Sequence, residues 1–342
     1  MPSLYVNELL EQPMAVRDTL AGLAPAASLH TLAQHLNSGR LRRIVLTGMG
    51  SSYHASHPLA FRLLAHGFDV HLIETSELIH YAEGLLTADT LVVAVSQSGS
   101  SAEIMHLLDL CRGKVTLLGI TNTPDSPLAQ GAAELVLTRA GSEYSASSKT
   151  YVATIVALTW LGDALLGERD SACAAELQGA PAAMERYLSD WQEHVTAIRE
   201  MFEGVRLLYL AGRGPSLATV GTGGLIVKEA SRFPCEGLSS ASFRHGPMEM
   251  LGPEVMVLVF AGPARTLTLN QRLAGDIKNA GGRVALVGYA AAGSPFSLPA
   301  QPEVALPLLE ILPVQMTSLA LADMRGIEAG QFRLGSKVTV VE

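Results

Sequence analysis

Short apolar runs alternate with amphipathic stretches along this chain. Arg43-Ile-Val-Leu-Thr47 leads into Gly48-Met-Gly50, and Val70–Glu74, Leu91–Val95, Val115–Ile120 and Glu134–Leu137 follow, each rich in Val, Leu or Ile. Between the third and fourth runs, Ala102–Cys111 places Ile104, Leu107, Leu108 and Cys111 on one helical face. Continuous apolar strands separated by helices predict βαβ units, with a parallel sheet covered on both faces. The expected fold class is therefore α/β.

The second half carries the same pattern. Leu46-Thr-Gly-Met-Gly-Ser-Ser52 corresponds to Leu210-Ala-Gly-Arg-Gly-Pro-Ser216, an offset of 212 − 48 = 164. Leu91–Val95 meets Val255–Val259 at 255 − 91 = 164. Lys114–Gly119 meets Arg283–Gly288 at 283 − 114 = 169, and Glu134-Leu-Val-Leu meets Glu303-Val-Ala-Leu at 303 − 134 = 169. Matches in this order, with one drift, predict two copies of one α/β unit rather than a solenoid. The expected division is an N-terminal helical segment (1–37), a first domain (38–175), a linking helix (176–203) and a second domain with a C-terminal tail (204–342). The boundary falls in the charged helical stretch Ala174–Glu203.

Composition narrows the class. The 342 residues are 48% hydrophobic and 16% charged, which excludes a disordered chain and suits buried sheets. A net charge of −8, without a Lys/Arg cluster, speaks against nucleic acid or an anionic membrane as partner. The apolar stretches Tyr151–Gly162 and Val255–Ala264 are shorter than the ~20 residues of a membrane span. Val284–Pro302 is interrupted by Gly, Ser and Pro, and the N-terminus, with Glu8 and Glu11, lacks signal-peptide character. Cys111, Cys173 and Cys235 are odd in number and widely spaced, which argues against a disulfide framework or zinc site. A cytoplasmic chain without metal or other cofactor is expected.

Ligands of open parallel sheets bind beyond the carboxyl ends of strands, where helix N-termini offer N–H groups. After Leu91–Val95 comes Ser96-Gln-Ser-Gly-Ser-Ser101, which opens into a helix. Small residues let the backbone curl round an anion and hydroxyls add donors, so this loop suits a phosphate monoester without Lys or Arg. The same residues also read as a polar turn with a Ser100/Glu103 capping box. Gly50-Ser51-Ser52 is a second such place, or an ordinary turn and helix cap. Gly48-x-Gly50 with Glu74 invites a dinucleotide reading, but Tyr53 stands where close packing over a pyrophosphate needs a small residue. The second-half counterpart of the serine loop, Phe260-Ala-Gly-Pro-Ala-Arg265, has lost its hydroxyls, so one phosphate site per chain is expected. Lys228-Glu229 lies late in a Gly-rich apolar helix, where partial burial would make Glu229 a general base. A structural salt bridge is the alternative. His245 precedes Gly-Pro in a turn and is either a mobile acid/base or a surface residue. His54 and His57 lack a third metal ligand.

Taken together, Gly-x-Ser-Tyr, Ser-Gln-Ser-Gly, Ala140-Gly-Ser-Glu with Ser147-Ser-Lys149, Gly-Arg-Gly, Lys-Glu, Arg-His-Gly-Pro and a terminal Lys-Val-Thr-Val resemble the sugar isomerase (SIS) family over nearly the whole chain. Within it the pattern is similar to the isomerase half of glutamine–fructose-6-phosphate aminotransferases and to related phosphosugar isomerases and deaminases. The resemblance implies two tandem flavodoxin-like SIS domains, usually in a homodimer, acting on a hexose 6-phosphate. It implies that Ser51, Ser52, Ser96, Gln97, Ser98, Ser101 and Lys228 hold substrate. Glu229 would shuttle the proton between C1 and C2, His245 from the partner subunit would open the ring, and Lys337 would complete the catalytic set.

The chain also departs from that pattern. Ile226 stands where the family has a lysine, Ser242 where it has a glutamate, and Lys337 lies one residue closer to Val-Thr. The glutaminase domain is not part of this sequence, so an isomerase or deaminase without glutaminase activity is expected. The rival expectation is a non-catalytic phosphosugar-binding sensor.

Overall fold

The computed structural model describes residues 3–24, 27–167, 172–289, 291 and 293–339. Nine parallel strands among them form two sheets. The first contains β1 (Arg43–Gly48), β2 (Asp69–Glu74), β3 (Thr90–Val95), β4 (Thr116–Thr121) and β5 (Glu134–Leu137), in the order β2-β1-β3-β4-β5. The second contains β6 (Leu207–Gly212), β7 (Cys235–Ser239), β8 (Val255–Phe260) and β9 (Arg283–Val287), in the order β7-β6-β8-β9. The four strands of the second sheet thus repeat the order of the first four strands of the other. Each expected strand of the first half is present within one residue at either end. All six residues of β3 and of β8 are buried, as continuous apolar strands between helical layers must be.

One expected correspondence fails. Glu303-Val-Ala-Leu, matched in sequence to β5, is a 3-10 turn (Glu303–Ala305) opening the helix Leu306–Met324. Pro302 and Pro307 flank it, and a proline ring that removes a ladder donor is accepted in a first helical turn but not inside a sheet.

The chain divides into two compact units, each gathering distant segments. The unit of the first sheet comprises residues 14–143, 148–178 and 334–342. Its core packs Val45, Val92, Ala94 and Leu117 against Ile104 and Leu107 of the helix Ala102–Cys111, the face read from the sequence. Burying each Val, Leu and Ile side chain among them contributes ~1.5–3 kcal/mol. The unit of the second sheet comprises residues 1–13, 144–147 and 179–333. Val257, Val259, Phe243, Leu273 and Ile277 form its core on one side. The segment Glu303–Met324 is long and apolar enough to cross a membrane. Of its most apolar 18-residue window, 89% is buried inside the protein, the position of a core helix. The N-terminal segment is helical as expected, in Leu4–Leu10, Gln12–Gly22 and Ala27–Asn37. Its first part joins the second-sheet unit, where Gln12 and Gln315 exchange side-chain hydrogen bonds of 2.9 Å and Tyr5 Oη lies 3.1 Å from Ser318 Oγ. The three cysteines are buried and free.

Candidate active site

In the first sheet the direction of strand addition reverses between β1 and β3, and such a switch point is where open parallel sheets form ligand crevices. Gly48 is in register with Val95, so Ser51-Ser52 and Ser96–Ser101 leave adjacent strand ends. Ser51 begins the short helix Ser51–Ala55 after Gly50, whose φ is 53°.

The serine loop is held rigidly from behind. Gln97 O accepts from Asn122 N at 3.1 Å, Thr121 Oγ1 at 3.1 Å and Thr123 Oγ1 at 3.3 Å, and Gly99 O accepts from Leu128 N at 3.0 Å. Within the loop, Gly99 N donates to Ser96 Oγ at 3.1 Å and Ser100 N donates to Ser98 Oγ at 3.3 Å. Only glycine fits at position 99. Its φ is +62°, and a Cβ there would lie 2.7 Å from Ser126 Cβ.

The Ser100/Glu103 capping box is not formed. The N-cap of the helix Ala102–Cys111 is Ser101, whose hydroxyl makes no capping bond, and buried Glu103 Oε2 has no hydrogen-bond partner. Ser96, Gln97, Ser98 and Ser101 are all half-buried, neither packed into the core nor fully solvated. Ala102 N, in the first helical turn, donates to Thr339 O of the C-terminal tail at 3.2 Å, so the tail lies against this helix start.

That tail brings in Lys337. Its Nζ lies 2.5 Å from Glu143 Oε2, and the Glu143 side chain is wholly inaccessible. Glu143 also accepts from Ser148 N and Oγ (2.9 and 3.1 Å) and Thr150 N and Oγ1 (3.0 and 2.6 Å). Burial pushes this carboxyl's pKa up, but the Lys337 charge and the Lys337 and Thr150 hydrogen bonds outweigh it and hold the group below its ordinary value. Glu143 of Ala140-Gly-Ser-Glu and Ser148 of Ser147-Ser-Lys149, read only as family motifs, thus meet in one network. The sequence signal was a Glu followed within seven residues by several hydroxyls, which by itself names no partner.

Lys228, Glu229 and His245 lie in the other unit. On the helix Ser216–Ser231, Lys228 is exposed and Glu229 half-buried. Ile226, one turn away, is fully buried, so the position of the family's lysine is here part of the core. His245 follows the short helix Ser240–Arg244, donates its backbone N–H to Ser242 O at 3.0 Å and is exposed. Arg244 pairs with Asp276 at 2.6 Å, so its charge is already compensated.

In the loop after β8, Pro263 is the N-cap of the helix Ala264–Asn279 without a side-chain cap. His57, half-buried, hydrogen-bonds His54 O through Nδ1 at 3.0 Å, and burial lowers its pKa. Tyr53, the residue that excludes a dinucleotide turn, packs edge-on against both histidines. Among the described residues, no group of three His, Cys, Asp or Glu is placed to hold a metal.

Two parallel sheets flanked by helices, with the serine loop at the switch point of the first, define an α/β protein of SIS fold. Residues 40–162 match the family model for the SIS domain. It is 32% identical over 361 aligned positions to the isomerizing glutamine–fructose-6-phosphate aminotransferase of Gloeobacter violaceus, covering 98% of this chain and 58% of the relative. The chain therefore spans rather more than half the length of that enzyme. Among solved structures it superposes on the C-terminal domain of the Francisella tularensis glucosamine-fructose-6-phosphate aminotransferase with a TM-score of 0.84 at 22% identity, covering 97% of this chain and 98% of that one. It also superposes on the Escherichia coli tagatose-6-phosphate ketose/aldose isomerase with a TM-score of 0.80 at 18% identity, covering 95% and 93%.

Proposed function

We propose that this chain is a phosphosugar isomerase, or an aminosugar-phosphate isomerase or deaminase, acting on a hexose 6-phosphate. The observation that carries the reading is the serine loop. It is fixed through its own backbone carbonyls by the Thr121 and Thr123 hydroxyls and the Asn122 and Leu128 N–H groups, lies at the switch point, and keeps the Ser101 hydroxyl out of any helix cap. Such a loop offers a phosphate neutral donors and a helix dipole that need no reorganisation. Ser51, Ser52, Ser96, Gln97, Ser98 and Ser101 bind the phosphate and sugar hydroxyls in this reading, with Lys228 on the sugar. Glu229 moves the proton between C1 and C2, His245 of a partner subunit opens the ring, and Lys337 is the cation near the developing oxyanion. Two tandem SIS domains, a homodimer with shared sites and a cytoplasmic location belong to the same proposal.

The test is turnover of glucosamine 6-phosphate, fructose 6-phosphate and fructosamine 6-phosphate by the wild type and Glu229→Gln. Turnover of one substrate that falls sharply in the variant is expected. Absence of turnover with all three, or undiminished activity in the variant, would overturn the reading.

A second reading, a phosphosugar sensor without catalysis, is favoured by buried Ile226 and by the pairing of Arg244 with Asp276, which leave fewer mobile cations for the chemistry. Saturable binding without hydrogen exchange at C2, followed by NMR in heavy water, would decide for it.

A further inference from the structure

The strands β3, β4 and β5 end side by side at the carboxyl edge of the first sheet, with Val95 in register with Ile120 and Thr121 with Leu137. The serine loop follows β3, and the segment that leads to Glu143 follows β5. Asn122, the first residue after β4, joins the two.

Its backbone N–H donates to Gln97 O of the serine loop at 3.1 Å. Its side chain is bonded to the other neighbour. Oδ1 accepts from Ala140 N at 2.9 Å and from Thr138 Oγ1 at 3.1 Å, and Nδ2 donates to Gly141 O at 2.8 Å. A backbone N–H only donates and a carbonyl only accepts, so these partners fix which way the amide points. Asparagine suits the place because it carries a donor and an acceptor on a short stem. Aspartate would set a charged oxygen against Gly141 O, and alanine would leave all three partners without the bond.

What these bonds brace gives them their interest. Gly141 turns the chain at a φ of +71°, and two residues later Glu143 pairs with Lys337. One half-buried side chain thus ties the loop that would hold phosphate to the carboxylate that holds the cation of the tail. All of these residues belong to the first-sheet unit. A substrate gripped at one end and met by a cation at the other needs a fixed separation, since a misplacement of ~1 Å can cost ~10²-fold in rate.

We propose that Asn122 is a positioning residue that sets the place of Lys337 relative to the serine loop, acting through Gly141 and Glu143. The part of Lys337 in turnover rests on the phosphosugar reading, whereas the bracing of the Glu143–Lys337 pair does not.

Two measurements on the full chain test it. With the sugar phosphate that the wild type turns over, Asn122→Ala should lower kcat by about 10–100-fold. KM should hardly change, because the backbone N–H to Gln97 O remains in the variant. Adding Asn122→Ala to Lys337→Met should lower kcat no further than Lys337→Met does alone, as expected of a residue that acts through the other. The second measurement needs no activity. Tryptic cleavage after Lys337 of the native chain, followed by mass spectrometry, should quicken about tenfold in Asn122→Ala, while cleavage after exposed Arg112 of the same unit keeps its wild-type rate. If a thermal melt shows that Asn122→Ala does not fold, Asn122→Asp, which keeps the shape and the acceptor, takes its place with the same losses expected. Changes in kcat and KM that move together, effects of the two substitutions that multiply, tail cleavage at the wild-type rate, or cleavage after Arg112 that quickens equally would each overturn the proposal. If the wild type turns over no sugar phosphate, the phosphosugar reading falls and the cleavage rates alone decide on Asn122.

Discussion

The loops after β3 and β8 occupy equivalent places in two sheets whose shared strands have one order, yet they are chemically opposite. Ser96–Ser101 presents hydroxyls and a glycine turn to a helix start. Phe260–Arg265 presents an apolar surface and a proline to a similar helix start, with a buried carboxyl near by. The fold supplies the same crevice and helix dipole in both cases. What differs is the six residues of each loop, and these set whether hydroxyls stand at the helix start. A shared scaffold therefore does not make two equal sites.

The largest expected effect would break this contrast at its polar end. Ser98→Ala with Ser101→Ala should reduce phosphosugar affinity by ~3–6 kcal/mol, from two lost bonds to a charged group at ~1.5–3 kcal/mol each. Calorimetric titration reads this directly, and unchanged affinity would place the phosphate elsewhere. Glu229→Gln should lower kcat by about 10²–10⁴-fold, with little change in substrate affinity, if it carries the proton transfer.

The apolar end is probed by pH. Burial pushes the Glu310 carboxyl up to about 7 from its ordinary 4.5, with the Ser216 and Thr219 hydroxyls opposing this only in part. The folded chain thus keeps a proton that the unfolded chain has released, and stability falls as pH rises across that interval. Glu310→Gln cannot ionise. Relative to the wild type, urea denaturation should show it gaining on the order of 3 kcal/mol between about pH 4 and pH 8. An offset that is the same at both pH values would show that this carboxyl ionises normally in the fold.

Two smaller effects sharpen the account of the serine loop's frame. Lys337→Met leaves the buried Glu143 with its Ser148 and Thr150 donors but without a counter-charge, a loss of about 1–3 kcal/mol. Glu143 titrates below its ordinary value, so its contribution is present at neutral pH and lost as pH falls through its folded pKa. The variant should accordingly unfold at a higher pH than the wild type during acid titration. Gly99→Ala imposes a positive φ on a residue with a side chain and drives Cβ into Ser126. It should cost about 1–3 kcal/mol and weaken phosphosugar binding together with stability. A variant that melts like the wild type would show that the loop adapts.

Much of the fold was legible because buried parallel strands carry an uninterrupted apolar signature. Leu91–Val95 and Val255–Val259 could hardly be anything but central strands, and the repeat offset linked them. The sequence match of Glu303-Val-Ala-Leu to β5 misled because four residues of similar polarity do not record whether prolines on either side permit a ladder. The serine loop was legible as chemistry, although its capping-box alternative was settled only by the position of Ser101 at the helix start. The network around Glu143 and the burial of Glu310 were not legible. Each glutamate is one acidic residue in a stretch whose local pattern is satisfied without it.

Local sequence, then, determined what depends on neighbours in the chain: the apolar strands, the amphipathic helix Ala102–Cys111, the glycine turn at Gly99 and the hydroxyl-rich loop. Tertiary structure decided what depends on residues far apart. It set the pairing of Glu143 with Lys337, 337 − 143 = 194 positions away, the burial of Glu310 beside Ser216, and the assignment of Ser96–Ser101 and Glu229 to different units. The physical reason is that burial and charge pairing are properties of the space around a group, and that space is assembled from segments which the sequence does not place side by side.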